Sequence, residues 1–378
     1  MHNQCLSAIL AIGLSNFAVA QAASPAEAQA LEQQGRLAEA AQAWQNITKR
    51  DARDAGAFAS LGVVLAKQEK YKEAASAYRR ALALNPRLPG IQMNLGLAEF
   101  KQGHLEPAIA PLKAALRADP SNEQARTLLG ISYYGTKRFL AAVQYLQPVA
   151  DANPDNTELH HMLAQSCLSA KQYQCALKEF RLILQKDPNS AAAHVLTAEA
   201  LDGLGKTDEA IAEFQAAVKV SPREPNVYFG LGYLYWKSNQ YDLAEREFQN
   251  QLSADPGNAQ SLAYLGDIAM KRNDPEKALS YLQQAVRARK DIRIAYLDLA
   301  AILTQKKQYK EAIDLLQHAV ELDPTQPDAH YRLGRVYQNM GNTTAAQQEL
   351  RKVQELHRKA DEDMASQMAN SGGDRPND

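Results

Sequence analysis

Three cysteines in 378 residues cannot staple a disulfide-built scaffold, and one of them, Cys5, stands in the first few residues. Paired metal-type cysteines, a Gly-rich phosphate loop and a Gly-x-Ser-x-Gly elbow are absent as well, so common zinc, nucleotide and hydrolase signatures have no starting point. A surplus of one charge sign is missing: 42 Lys+Arg face 43 Asp+Glu, a formal net charge of −1. That balance removes the bulk field by which a chain attracts nucleic acid or anionic lipid. The densest basic segment, 351–359, still carries Glu355 and reads as a solvated helix face. Beyond residue 20 no apolar run is long enough to span a bilayer, so no integral membrane segment is expected once the leader is removed.

The eight histidines do not assemble into a metal motif. His160 and His161 are adjacent and point to different sides of a helix, whereas ligands on one helix need a spacing of three or four. His104, His194, His318 and His330 stand far apart in the sequence and read as surface or groove residues. No metal, no cofactor and no catalytic residue is expected, and the chain does not read as an enzyme.

What the chain has in abundance is a repeat. In Asn226–Pro256, Leu231, Leu234 and Tyr235 share one face of a first helix, with Gly232 between them. A polar turn, 237–240, follows, and Tyr241, Ala244 and Phe248 then give a second helix its apolar stripe. Pro256 ends the unit, since proline cannot continue a helix. Two helices of about 13 residues cannot bury their own apolar faces, so the unit needs neighbours. One constant step along the chain from Ala244 reaches Ala40, Ala74, Ala108, Ala142, Ala176, Ala210, Ala278, Ala312 and Ala346 without a miss. Gly232 recurs as Gly62, Gly96, Gly130, Gly266 and Gly334, with Ala164, Ala198 and Ala300 in the same register. Phe248 is matched by a large residue in every unit, from Trp44 and Tyr78 to Leu350. Pro256 recurs from Pro86 to Pro324, with Lys290 the one departure. Small residues belong where helices cross, and large ones fill the gaps between pairs.

A 34-residue period with Leu-Gly-x-x-Tyr, then Ala, then an aromatic, then Pro resembles the tetratricopeptide repeat family. The resemblance covers residues 21–356 in ten units without insertion or deletion. It implies an all-α fold, a right-handed α-solenoid in which antiparallel helix pairs stack around one continuous core. The expected organisation is a leader at 1–20, a solenoid at 21–360 with atypical first and last repeats, and a charged helix end and disordered tail at 361–378. The leader, nearly free of charge and ending Ala18-Val19-Ala20, predicts cleavage after Ala20 and a periplasmic or secreted protein. An uncleaved helix or a misassigned start is the alternative reading of the same stretch. Cys167 and Cys175 flank the turn of the fifth repeat, where antiparallel helices bring such positions together; in an exporting compartment they are expected to form a disulfide. Against that stands the reading of Cys167 as a small buried residue.

In this family the concave face is lined mainly by the first helix of each repeat. By that resemblance the lining includes Phe100, Ile131, Tyr134, Phe229, Tyr233, Trp236, Tyr331 and Arg335, together with Val63, Met93 and Leu97. Phe229, Tyr233 and Trp236 follow at four and three, so they form one stripe outside the packing register. Such rings either anchor a partner or pack on the helix of the adjacent repeat. Some family members clamp a peptide carboxylate with Lys, Asn and Arg. Here Asn94 is flanked by Met93 and Leu97, so that mode is not expected, and apolar contact with an extended segment or a helix takes its place. The expected function is a non-enzymatic scaffold that holds a protein or peptide in its groove and binds no nucleic acid. A cytosolic adaptor, or a module delivering substrates to a separate enzyme, is the alternative.

Overall fold

The computed structural model describes residues 24–371. The expected leader, its cleavage site and the tail beyond Ser371 lie outside the described residues. Within them the chain is all-α: twenty helices and no strand. It divides into two compact units, 1–170 and 171–378. The first unit holds α1 (Pro25–Gln33), α2 (Leu37–Arg50), α3 (Ala55–Lys67), α4 (Tyr71–Leu84), α5 (Ile91–Lys101), α6 (Leu105–Ala118), α7 (Glu123–Gly135), α8 (Phe139–Ala152) and α9 (Thr157–Ser169). The second begins with α10 (Tyr173–Lys186), α11 (Ala191–Gly203), α12 (Thr207–Val220), α13 (Val227–Lys237) and α14 (Tyr241–Ala254). It continues with α15 (Ala259–Lys271), α16 (Pro275–Ala288), α17 (Arg293–Gln305), α18 (Tyr309–Leu322), α19 (Pro327–Asn339) and α20 (Thr343–Ser371). Odd-numbered helices open a repeat and even-numbered ones close it.

The turns between repeats follow from their residue types. The carboxylate of Asp119 accepts from the Ser121 amide at 3.0 Å, and Asn122 then caps α7 by accepting from the Ala125 amide at 2.8 Å. Asp255 and Asn258 do the same before α15, at 3.2 and 3.0 Å. Each pair satisfies amides that the helix leaves orphaned. At Lys290, where proline is missing, the chain reaches α17 with Ile292 at the cap and no side-chain bond. Repeats 3 and 7 start two residues late, because Pro89-Gly90 and Pro225-Asn226 hold their caps in the left-handed region at φ 73° and 60°. The last helix is longer than the sequence implies: α20 runs unbroken through Asn370 and Ser371, two residues expected to lie in a disordered tail.

A left-handed residue also ends every first helix, once per repeat from Gly35 to Gly341. Six of these ten positions are not glycine: Glu69, Lys137, Lys171, Asn239, Asn273 and Lys307. The next amide reaches back to close the helix, as Gln240 does to the Tyr235 carbonyl at 2.8 Å. This register was not apparent from the sequence, because lysine and glutamate give no signal for positive φ.

The packing register holds. Nine of the ten repeating alanines, Ala40 to Ala312, are fully buried, and Ala346 is nearly so. Each repeating glycine lies directly on the large residue of the helix that follows; a Cβ at Gly130 would stand 2.5 Å from Leu146 Cδ2, and one at Gly232 2.9 Å from Phe248 Cδ1. Among the described residues, buried apolar side chains of the second unit from Leu177 onward group into clusters that share bordering residues. One centres on Phe214, Leu234 and Phe248, one on Leu282 and Leu299, one on Leu316 and Leu333. Leu252 and Tyr281 pack on the first two, and Leu315 on the last two. The core is thus a relay of nearest neighbours, as repeat architecture requires.

Two variants of opposite sign test these registers. Gly130→Ala forces a methyl into Leu146, an overpacking cost of about 1–3 kcal/mol that exceeds the gain in helix propensity of up to about 1 kcal/mol, so the melting temperature falls. Lys137→Gly with Lys307→Gly, both exposed, removes left-handed strain and should add about 1 kcal/mol, raising the melting temperature by a few degrees.

Candidate functional site

The aromatic stripe lies on α13 as its spacing implies. Phe229 and Tyr233 stack with centroids 6.5 Å apart, and Tyr233 and Trp236 at 6.0 Å. All three rings are half-buried, because Tyr264 of α15 packs against each of them, most closely edge-on to Trp236 at 4.8 Å. The stripe therefore does what the second of its two readings implies: it packs on the helix of the next repeat. Burial pushes the Tyr264 hydroxyl up to about 12, with Tyr233 and Asp267 adding to the effect.

Trp236 is fixed further by its N–H, which donates to Asp267 Oδ2 at 2.5 Å. Lys271, one turn beyond Asp267 on α15, sits 3.7 Å from the same oxygen, with its ammonium 5.9 Å from the indole centre. Asp267 also borders a cavity of about 410 Å³. Its lining also includes Lys271 of α15, Asp298 and Ala301 of α17, Leu316 of α18, and Arg332, Arg335 and Val336 of α19. Two arginines tie α17 to α19: Arg293 forks onto the carboxylate of Asp328, and Arg332 Nη1 donates to the Leu297 carbonyl at 2.6 Å. Because Arg332 is spent there, it reaches Asp298 Oδ1 only at 3.4 Å. The other oxygen, Oδ2, is buried and has no partner. Burial first, and the Asp267 charge second, push the Asp298 carboxyl up to about 6, against the pull of Arg332 and Lys271.

Tyr331 and Arg335 stand one turn apart on α19 and are exposed, Tyr331 to 49%. Arg335 borders the cavity. In the first unit, Phe100, Ile131 and Tyr134 are half-buried on α5 and α7. The Tyr134 hydroxyl donates to Gln165 of α9, and its ring meets Phe139 edge-on at 6.2 Å, so this tyrosine links successive first helices. Tyr134 and the α13 stripe belong to different units. Cys167 is fully buried near the end of α9, and Cys175 lies in the first turn of α10. Of the histidines, His194 and His330 each meet a glutamate, Glu213 and Glu349, at 2.6 Å. Among the described residues no cluster of three or more His, Cys, Asp or Glu is placed to hold a metal ion. No described helix is long and apolar enough to cross a membrane.

Asp267, Asp298, Tyr264 and Arg332 were missed at the level of sequence, although the register contained them. Asp267 stands one full repeat after Tyr233, and Gly230, Tyr264, Asp298 and Arg332 form one column at the same step. Reading each column of the repeat for polar residues in place of apolar ones would have found the two aspartates.

Family models described as tetratricopeptide repeat match residues 26–89, 65–123 and 195–259, then 99–167, 133–200 and 235–302, and finally 327–359. One described as TPR repeat matches 300–341. Together the matches run from 26 to 359. No curated protein matches the chain. Among solved structures, the chain is similar to the APC/C hetero-tetramer Cut9-Hcn1, with a TM-score of 0.53 at 16% identity over 87% of this chain and 72% of that one. That likeness concerns the fold. Shorter likenesses are to YrrB, described as a TPR protein with an unusual peptide-binding site (TM-score 0.37, 25% identity, 47% of this chain and 91% of that one), and to residues 41-end of MamA from Desulfovibrio magneticus RS-1 (0.40, 21%, 44% and 95%).

The orphaned carboxylate makes a pH-dependent prediction. Asp298 titrates near 6 in the folded chain against 3.8 for an ordinary aspartate, so its protonated form is favoured by folding. Its stabilising contribution is full below about 3.8 and is lost as pH rises through about 6, a loss on the order of 2–3 kcal/mol. Asp298→Asn keeps the shape without the charge. The variant should melt several degrees above the parent at pH 7.5, and the gap should close by pH 4; thermal melts at the two pH values check it.

Proposed function

The chain belongs to the tetratricopeptide repeat family, and from that premise we propose that it is a non-enzymatic scaffold, exported from the cytosol, that holds a protein or peptide partner along the groove face of its first helices. The coarser part, an interaction scaffold, comes with the family, whose fold is generally non-enzymatic. One observation supports the finer part. Along α13, α15, α17 and α19 the residues outside the packing register do not fade into generic surface: half-buried rings at Tyr233, Trp236 and Tyr264 are followed by buried Asp267 and Asp298 and by exposed Tyr331 and Arg335. Aromatic and arginine side chains held by a rigid backbone lose little entropy on binding and are frequent interface anchors. Export rests on the composition of residues 1–20, and with it goes the proposed Cys167–Cys175 bond.

Trp236 is a poor probe of this reading. Its truncation would strip Asp267 of a hydrogen bond and Tyr264 of its closest ring, so a loss of stability is expected in place of an unchanged melt. Tyr331→Ala with Arg335→Ala separates binding from folding, because both residues are exposed. The double variant should melt like the parent and lose about 2 kcal/mol or more of affinity, roughly thirtyfold, for whatever the mature chain captures from its native compartment. Unchanged capture would contradict the proposed face. Amino-terminal sequencing tests export directly: a mature start at Gln21 agrees with it, and an intact Met1 on cytosolic protein contradicts it.

A further inference from the structure

The cavity bounded by α15, α17, α18 and α19 differs from ordinary surface in how its charges are layered. Its two carboxylates are deep, with Asp267 8% and Asp298 5% exposed. Its three cations, Lys271, Arg332 and Arg335, are less buried, although Lys271 and Arg332 reach back to within 3.7 and 3.4 Å of Asp267 and Asp298. Asp267 Oδ2 holds the Trp236 N–H, and Asp298 Oδ1 has its long contact with Arg332, but Asp298 Oδ2 is buried without any donor. A buried carboxylate oxygen left unpaired is costly, and a donor brought to it recovers that cost. The nearby cations are already engaged: Arg332 with the Leu297 carbonyl and Asp298 Oδ1, Lys271 with Asp267 and the faces of Trp236 and Tyr241. Charge buried at the base acts through a low dielectric, while charge at the rim is screened by water. The base is therefore acidic and the mouth basic.

We propose that this cavity receives a lysine or arginine side chain of the partner, its charged head donating to the carboxylate of Asp298 and its methylenes lying against Ala301 and Val336. This deepens the groove-binding reading and rests on it. The shape suits the guest: a volume of about 410 Å³ takes a long side chain, and its wall is apolar between the mouth and the carboxylates. An anion would meet two buried carboxylates, and an apolar guest would leave Oδ2 without a donor. The basic rim adds a second requirement. Lys271 and Arg335 favour acidic residues on either side of the basic one, so the recognised segment is an acidic stretch with a single basic anchor.

The probe is a capped tripeptide, acetyl-Glu-Arg-Glu-amide, compared with the same peptide carrying Gln at its centre. Binding is read by calorimetry and by the fluorescence of Trp236, which Asp267 connects to the cavity; Trp44 is the only other tryptophan. The arginine peptide should bind at least tenfold more tightly than the glutamine peptide. Asp298→Asn should erase that preference while keeping or raising the melting temperature, so a folding defect cannot imitate the result. The preference should also shrink between pH 7.5 and pH 5. The charged groups facing Asp298 are Asp267 and Lys271 from α15 and Arg332 and Arg335 from α19, with Leu316 facing from α18. Equal binding of the two peptides, no saturable binding of the arginine peptide in the millimolar range, or full retention of its preference in Asp298→Asn would overturn the assignment. Tighter binding of the glutamine peptide would identify an anion site on the arginines and overturn it too. Partner capture lost in Tyr331→Ala/Arg335→Ala but intact in Asp298→Asn leaves the binding face standing and removes only this pocket.

Discussion

A glycine or alanine on the first helix of each repeat, pressed onto a large side chain of the second, sets the distance on which the rest of the structure depends. Gly62 lies on Tyr78, Gly96 on Leu112, Gly130 on Leu146, Gly232 on Phe248 and Gly266 on Leu282, each pair at the same separation along the chain. No Cβ fits at these glycines without moving the ring or branch beneath it. The separation of the paired helices is thereby a property of one residue type at one position. Because the position recurs in every repeat, each pair presents its neighbour with the same surface, and burial proceeds from repeat to repeat. The clusters of the second unit, joined through Leu252, Tyr281 and Leu315, are the outcome.

That division of labour leaves one part of each first helix free of the packing. The packing faces of the first helices are committed to their partners, and the second helices supply the large residues beneath them. What remains variable is the outer column of the first helices, where a substitution does not disturb the crossing. In the second unit two such columns carry the rings, aspartates and arginines: Tyr233, Asp267, Ala301 and Arg335 in one, Gly230, Tyr264, Asp298 and Arg332 in the other. Asp298 is the clearest departure from packing logic: a carboxylate placed in a hydrophobic setting, with one oxygen unserved. A scaffold selected for stability alone would carry an apolar residue there.

The fold was legible in the sequence because its determining contacts are periodic. Ten alanines and six glycines at one interval define the helix pairs, the crossing points and the limits of each repeat, apart from two late starts. Those starts, at Ile91 and Val227, are marked by a proline-containing step visible beforehand. The site was legible only in part. Phe229, Tyr233 and Trp236 do share a face, but spacing along one helix says nothing about what the next helix brings, and Tyr264 packs against all three rings. Asp267 and Asp298 escaped notice because a carboxylate on a helix is ordinarily solvated; only the neighbouring helices show these two to be buried. The left-handed turns at Lys137 and Lys307 escaped for a similar reason, since the closing hydrogen bond and not the residue type imposes positive φ there.

The central claim is that partners meet the first helices and not the second. Photo-crosslinking tests it most directly, with p-benzoylphenylalanine placed at Tyr331 on α19 or, in a separate variant, at Gln317 on α18, both exposed. Crosslinks to a partner in the native compartment should form from position 331 and not from position 317. Crosslinks from 317 with none from 331 would contradict the account.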